Sequence, residues 1–168
     1  MNKKIIEHGK EILDSQNYES LKDYIQHGQV SVHEHCLRVA ETSLKIHVFF
    51  ERFNVRMNER AIVRGALLHD FFLYDWHDKK PERRVHGFTH PRTALKNAQK
   101  EFVLSDRERD IISKHMFPLT ITKVPRCREA WVVSAADKWC SMVETVKMRK
   151  KHTRKKDHEK RRILKRGA

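Results

Sequence analysis

Two ionisable residues stand side by side inside an apolar run, Ala66-Leu67-Leu68-His69-Asp70-Phe71-Phe72. A buried charge is costly unless it is paired or bound to a metal, so His69 and Asp70 need a partner that offsets their burial. Asp137 raises the same question inside Trp131-Val132-Val133-Ser134-Ala135-Ala136-Asp137-Lys138-Trp139. The chain holds 12 histidines, and position separates them. His8, His27, His152 and His158 lie in polar or terminal stretches and are expected to be exposed, while His47 and His77 have polar neighbours and no obvious partner. His35, His69, His90 and His115 fall within or at the edge of helical stretches. Imidazoles and carboxylates together are a ligand set for Mn, Fe or Zn. A metal compensates buried carboxylates and holds histidines in one tautomer. A single buried histidine is more often a hydrogen-bonded core residue. Two carboxylates inside apolar helices, beside several such histidines, shift the reading toward a metal centre. Adjacent helical residues point about 100° apart, so His69 and Asp70 can share an ion only if it lies between their directions, against other helices.

Helices must carry these side chains. Gly and Pro number five and four in 168 residues, and apolar residues recur at helical rather than alternating spacing. The spacing predicts a helix over Asn2–Asp14, built on Ile5, Ile6, Ile12 and Leu13, and a short one over Tyr18–Ile25. Ser31 with Glu34 reads as a capping box for a helix reaching Phe53 that buries Val32, Val39, Ile46 and Phe50. Asn58 caps a helix over Glu59–Leu73, and a charged loop with Pro81 and Gly87 follows over Tyr74–Phe88. Thr89 opens the next helix, with Pro91 tolerated in its first turn. Ser105 to Glu108 is a second capping box, starting a helix that reaches Met116. After a loop over Pro118–Pro125, the last helix runs past Trp139 into the C-terminal tail. The expectation is an all-α single domain over residues 1–146, a bundle of six or seven helices, with a basic helical extension over 147–168.

The net charge of +14 is uneven, because Lys147–Ala168 carries twelve Lys or Arg against Asp157 and Glu159, a net of +10. This tail reads first as a solvated helical extension and second as an arm for weak nucleic-acid contact; no aromatic is interleaved for base stacking. No window approaches the roughly eighteen apolar residues of a membrane span, and Met1–Glu7 lacks a secretory apolar stretch. A soluble, cytoplasmic protein with no membrane partner is expected. Cys36, Cys127 and Cys140 show no CxxC pairing and read as reduced packing residues rather than zinc ligands. Oligomeric state is left open.

Three stretches in order, HEHCLRVAETSLKI (33–46), GALLHDFF (65–72) and SAADKW (134–139), resemble the HD-domain metal-dependent phosphohydrolase superfamily. Its pattern is H…HD…D on four helices, and the resemblance spans Ser31 to Val146. It implies His35 as the first metal ligand, with the nearby His33 competing but lacking the spacing to Arg38-Val39-Ala40. His69 and Asp70 take the HD positions and Asp137 the last. Branches with a second metal carry two further histidines; HGFTHPRTA and IISKHMFP offer His90, with His86 as its rival, and His115. The layout is similar to the diadenosine tetraphosphatase and cyclic-dinucleotide phosphodiesterase branches.

The implied activity is hydrolysis of a phosphate ester or anhydride of a nucleotide by a metal-activated water. One or two divalent ions would serve, Fe or Mn favoured and Zn, Ni or Co possible. Asp70 would bridge, His35, His69 and Asp137 would complete the first ion, and His90 and His115 would serve the second. Asp70 and His69 are then catalytic, joined by Lys138 and Arg92 as cations for the phosphoryl group, ahead of Arg38, Lys114, Arg83 and Arg84. Phe71, Phe72, Tyr74, Trp76, Trp131 and Trp139 are candidates to stack a base, Tyr74 and Trp76 best placed for a pocket rim. The run Phe71–Trp76 departs from the small Gly- and Lys-containing turn of many relatives, and no GYP-type motif is present. The competing readings are a nucleic-acid-binding module acting through the tail, and an inactive HD scaffold.

Overall fold

The computed structural model of the chain describes residues 2–27, 29–75 and 86–166, with only the backbone given at 27, 86 and 149–166. Among these residues the helices are α1 (Lys3–Leu13), α2 (Gln16–Glu19), α3 (Val32–Glu51), α4 (Glu59–Leu68), α5 (His86–Glu101), α6 (Asp106–Lys114) and α7 (Arg128–Arg166). The architecture is all-α apart from one small hairpin, β1 (Ile25–His27) paired antiparallel with β2 (Val30–Ser31). Among the described residues no helix is long and apolar enough to cross a membrane.

α4 is the centre of the bundle, packed against α1, α3, α6 and α7. Every residue from Ala61 to Leu68 is buried, as expected of a helix enclosed on all sides. Its neighbours approach closely at glycine: a Cβ on Gly65 would sit 2.5–2.9 Å from three atoms of Ile111 on α6, and one on Gly9 of α1 would sit 2.5 Å from Leu67 Cδ1. Arg64, the one buried charged residue of α4, is almost fully enclosed and ties three segments together. It donates to Glu108 at 2.6 Å, to Glu11 at 2.9 Å and to the Val103 carbonyl at 3.1 Å.

Several boundaries differ from the sequence reading, for local reasons. α4 stops at Leu68 rather than Leu73. The Phe72 N–H bonds back to the Asp70 carbonyl, and Leu73 adopts a positive φ of 59°. Asn97 of α5 donates its amide to the Phe71 and Phe72 carbonyls, so a neighbour satisfies groups that a longer helix would have used. α5 begins at His86, a turn earlier than Thr89, which places Pro91 inside the helix. The expected helix over Tyr18–Ile25 is instead α2, a 3₁₀ turn at Ser20–Lys22 and then β1; strands of two and three residues are too short to show alternation.

On α3, Ser31 accepts from the Glu34 N–H, but only Ser105 and Glu108 complete a reciprocal box. The buried stripe runs Val32, His35, Cys36, Val39, Ala40, Ser43, Leu44, His47 and ends there. Phe50 is therefore 40% exposed, its ring edge-on to Phe49, and Ile46 is half-buried. Two histidines also depart from expectation: His8 is half-buried with Nε2 2.9 Å from Glu59, and His47 is buried, 3.4 Å from Glu51. All three cysteines are free. α7 opens where Asp110 of α6 accepts from the Arg126 and Cys127 N–H groups. It then crosses residue 146 without a break.

Candidate metal centre

His69 and His115 occupy equivalent places, each the first residue past its helix with α-helical dihedrals. The last carbonyls of a helix lack intrahelical donors, and each ring supplies one. His69 Nδ1 donates to the Ala66 carbonyl at 2.7 Å and His115 Nδ1 to the Ile112 carbonyl at 2.9 Å. That bond fixes the tautomer and turns each Nε2 inward. His35 comes from the buried face of α3, one turn past its cap. Its Nδ1 lies 3.0 Å from Glu144 and its Nε2 3.1 Å from Asp137, both on α7. α5 delivers His90. Ser134 and Lys138 of α7 donate to the His115 carbonyl, docking the end of α6 onto α7.

The six side chains form two groups whose ligand atoms lie within 4.8 Å of one another: His35, His69 and Asp137, and Asp70, His90 and His115. All are at most 5% exposed. Asp70 stands between the groups. Its Oδ2 is 3.4 Å from His69 Nε2 and 3.9 Å from His35 Nε2, while its Oδ1 is 3.2 Å from His90 Nε2 and 3.5 Å from His115 Nε2. His90 Nε2 and His115 Nε2 approach to 2.7 Å. His69 Nε2 and Asp70 Oδ1 are buried with no hydrogen-bond partner. Buried polar atoms are ordinarily satisfied, and a cation would satisfy both. The donor set, neutral nitrogen and anionic oxygen without thiolate, fits a divalent first-row metal.

The electrostatics point the same way. Burial pushes the Asp70 carboxyl up, but His69, His90 and His115 outweigh it and hold Asp70 well below the usual range. Asp137 is likewise depressed, burial being overcome by His35 and His69. Burial disfavours a charged His35, yet hydrogen bonds to Asp137 and Glu144 raise it to about 10; His69 is raised against burial by Asp70. His115 goes the other way, lowered by burial and by His90 and His69. The enclosure thus demands positive charge close to its carboxylates.

The remaining candidates sort by position. His33 is half-buried, its ring 5.2 Å from Tyr18 and its Nε2 3.9 Å from Glu19, so of the two rivals His35 joins the cluster. The side chain of His86, with Trp76, His77, Pro81, Arg83 and Arg84, lies outside what the structure describes. Lys138 donates to Asp137 at 3.0 Å and to the His115 carbonyl. Arg92 is exposed on α5. Arg38 bonds Glu144 at 3.2 Å, and Lys114 pairs with Asp110 at 2.5 Å. Tyr74 is half-buried with its ring 4.9 Å from Phe72; Phe71 and Phe72 are core, whereas Trp131 and Trp139 are 47% and 58% exposed.

Two polar residues at the centre escape the sequence reading. Gln26 of β1 donates to Asp70 Oδ2 at 2.7 Å, and Glu144 meets His35. Glu144 lies seven residues after Asp137, two turns along the same helical face, a periodicity that could have marked it. Gln26 carries no such mark, since only the hairpin brings it in.

Neither a curated protein nor a solved structure matches the chain. A family model described as HD domain matches residues 32–142. That match covers about two-thirds of the chain and includes all six converging side chains, so the chain belongs to the HD domain family, whose members are in general metal-dependent phosphohydrolases.

Proposed function

We propose that the chain hydrolyses a phosphate ester or anhydride, with a nucleotide as substrate, using two divalent ions. His35, His69 and Asp137 hold one, His90 and His115 the other, and Asp70 lies between them. The observation that carries this reading is the split of Asp70, whose two oxygens face different histidine groups. Fe and Mn are the favoured ions for such a donor set, with Zn, Ni and Co as alternatives. Divalent ions bound there lower the pKa of a coordinated water and polarise phosphoryl oxygens.

The protein's part is to keep the ligands aimed. Nδ1 bonds to backbone carbonyls hold His69 and His115 in one orientation. Lys138, engaged with Asp137 and the His115 carbonyl, acts as a positioning group. Exposed Arg92, two residues past His90, is the cation proposed to meet substrate phosphate. Three free cysteines suit a reduced, cytoplasmic setting.

The test is elemental analysis of purified protein together with phosphate release across a nucleotide panel. His69→Ala and Asp70→Ala should each abolish turnover while retaining the wild-type helical circular dichroism. Full turnover in both variants defeats the reading.

A second reading concerns the tail and is favoured by the unbroken course of α7 to Arg166. Its twelve Lys and Arg residues after position 146 ride on a helix that rises about 30 Å over residues 147–166. We infer weak, sequence-independent contact with nucleic-acid phosphates. Exchanging Lys155, Lys156, Arg161 and Arg162 for Gln should weaken salt-dependent binding to duplex RNA and leave hydrolysis unchanged.

A further inference from the structure

Histidine ligands are tuned by whatever their second ring nitrogen meets. His69 and His115 meet neutral backbone carbonyls. His35 meets a carboxylate, that of Glu144, at 3.0 Å. Glu144 is 4% exposed, and its other oxygen is held by the exposed Arg38 at 3.2 Å. A third buried carboxylate beside Asp70 and Asp137 is expensive, and Arg38 could have paired with it at the surface. What burial gains Glu144 is contact with His35. A carboxylate partner pins the ring and makes its far nitrogen a stronger donor.

Gln26 acts on the other shared element. Its amide donates to Asp70 Oδ2 at 2.7 Å, on the side facing His69 and His35. That bond fixes the plane of the carboxylate and so keeps Oδ1 toward His90 and His115. Gln26 reaches Asp70 only because the β1–β2 hairpin precedes α3.

We propose that Glu144 and Gln26 are positioning residues that make the two halves of the centre unequal. Glu144 gives the half containing His35 the tighter ion, and Gln26 aligns Asp70 so that the second ion can be held at all. The proposal rests on the two-ion reading above.

The experiment titrates Mn²⁺ into metal-free, full-length protein, followed by calorimetry and by the electron paramagnetic resonance signal of a coupled Mn pair. Wild type should bind in two steps of different affinity and develop the coupled signal. Glu144→Ala should weaken the tighter step tenfold or more, and Glu144→Gln, which keeps an acceptor for Nδ1–H, should recover much of that loss. Gln26→Ala should leave the tighter step within about threefold, weaken the second about tenfold and diminish the coupled signal. A merely structural role would lower both steps together in Glu144→Ala, with no recovery in Glu144→Gln, and that pattern overturns the proposal. Unchanged affinities in all three variants overturn it also, while leaving the hydrolase reading intact. A wild type that takes up no Mn²⁺ removes both.

Discussion

At the scale of single residues, the interior holds two kinds of buried charge that differ in what answers them. Arg64 is answered by protein alone: Glu108, Glu11 and the Val103 carbonyl take three of its donors. Glu108 is itself 3% exposed, so removing the guanidinium strands a buried carboxylate. Arg64→Met should therefore cost about 3 kcal/mol or more, read from urea unfolding. The exposed Glu11 end contributes little of that, since solvent-exposed ion pairs are weak. The carboxylates of Asp70 and Asp137 are answered only in part, by histidines together with Gln26 and Lys138, with His69 Nε2 and Asp70 Oδ1 left over. Two ligand atoms are orphaned at the candidate metal centre, whereas every side-chain nitrogen of Arg64 is paired.

At the scale of elements, the centre depends on where helices stop and how near they come. α4 and α6 both end one residue before a ligand, so any sliding of α6 against α4 moves His115 relative to His69. Gly65 sets that distance. Its added Cβ would meet Ile111 Cδ1, Cγ2 and Cβ at 2.5, 2.8 and 2.9 Å, and Cβ cannot swing away as a side-chain tip could. Gly65→Ala should push α6 outward and cost about 1–3 kcal/mol, lowering affinity for the second ion proposed at His90 and His115. The double variant Gly65→Ala, Ile111→Ala should restore that affinity, seen in a Mn²⁺ titration, because the smaller residue makes room. Helix existence was legible in capping residues such as Ser31, Asn58 and Ser105. The end of α4 was not, because apolar periodicity runs on through Phe71 and Phe72 while the chain leaves the helix to let Asn97 cap it.

At the scale of the whole molecule, five segments distant in sequence are joined at one buried point, so the proposed ion binding would be coupled to folding. An ion that binds only the folded state stabilises it by about 2.7 kcal/mol at a hundredfold excess over Kd. Adding Mn²⁺ to metal-free protein should raise the thermal midpoint in calorimetry, and chelation should reverse the rise; a midpoint indifferent to both would deny the centre its ions. Sequence by itself determined the helical class, the positions of the capped helix starts and a short set of candidates that contains the six converging side chains, because caps, periodicity and motif order are local or ordered along the chain. Only the tertiary structure decided which rival histidine joins the cluster, that Asp70 faces both groups, and that Gln26 and Glu144 brace it. Those outcomes depend on distances across 44 residues for Gln26 and 109 for Glu144, and packing, not local propensity, sets such distances.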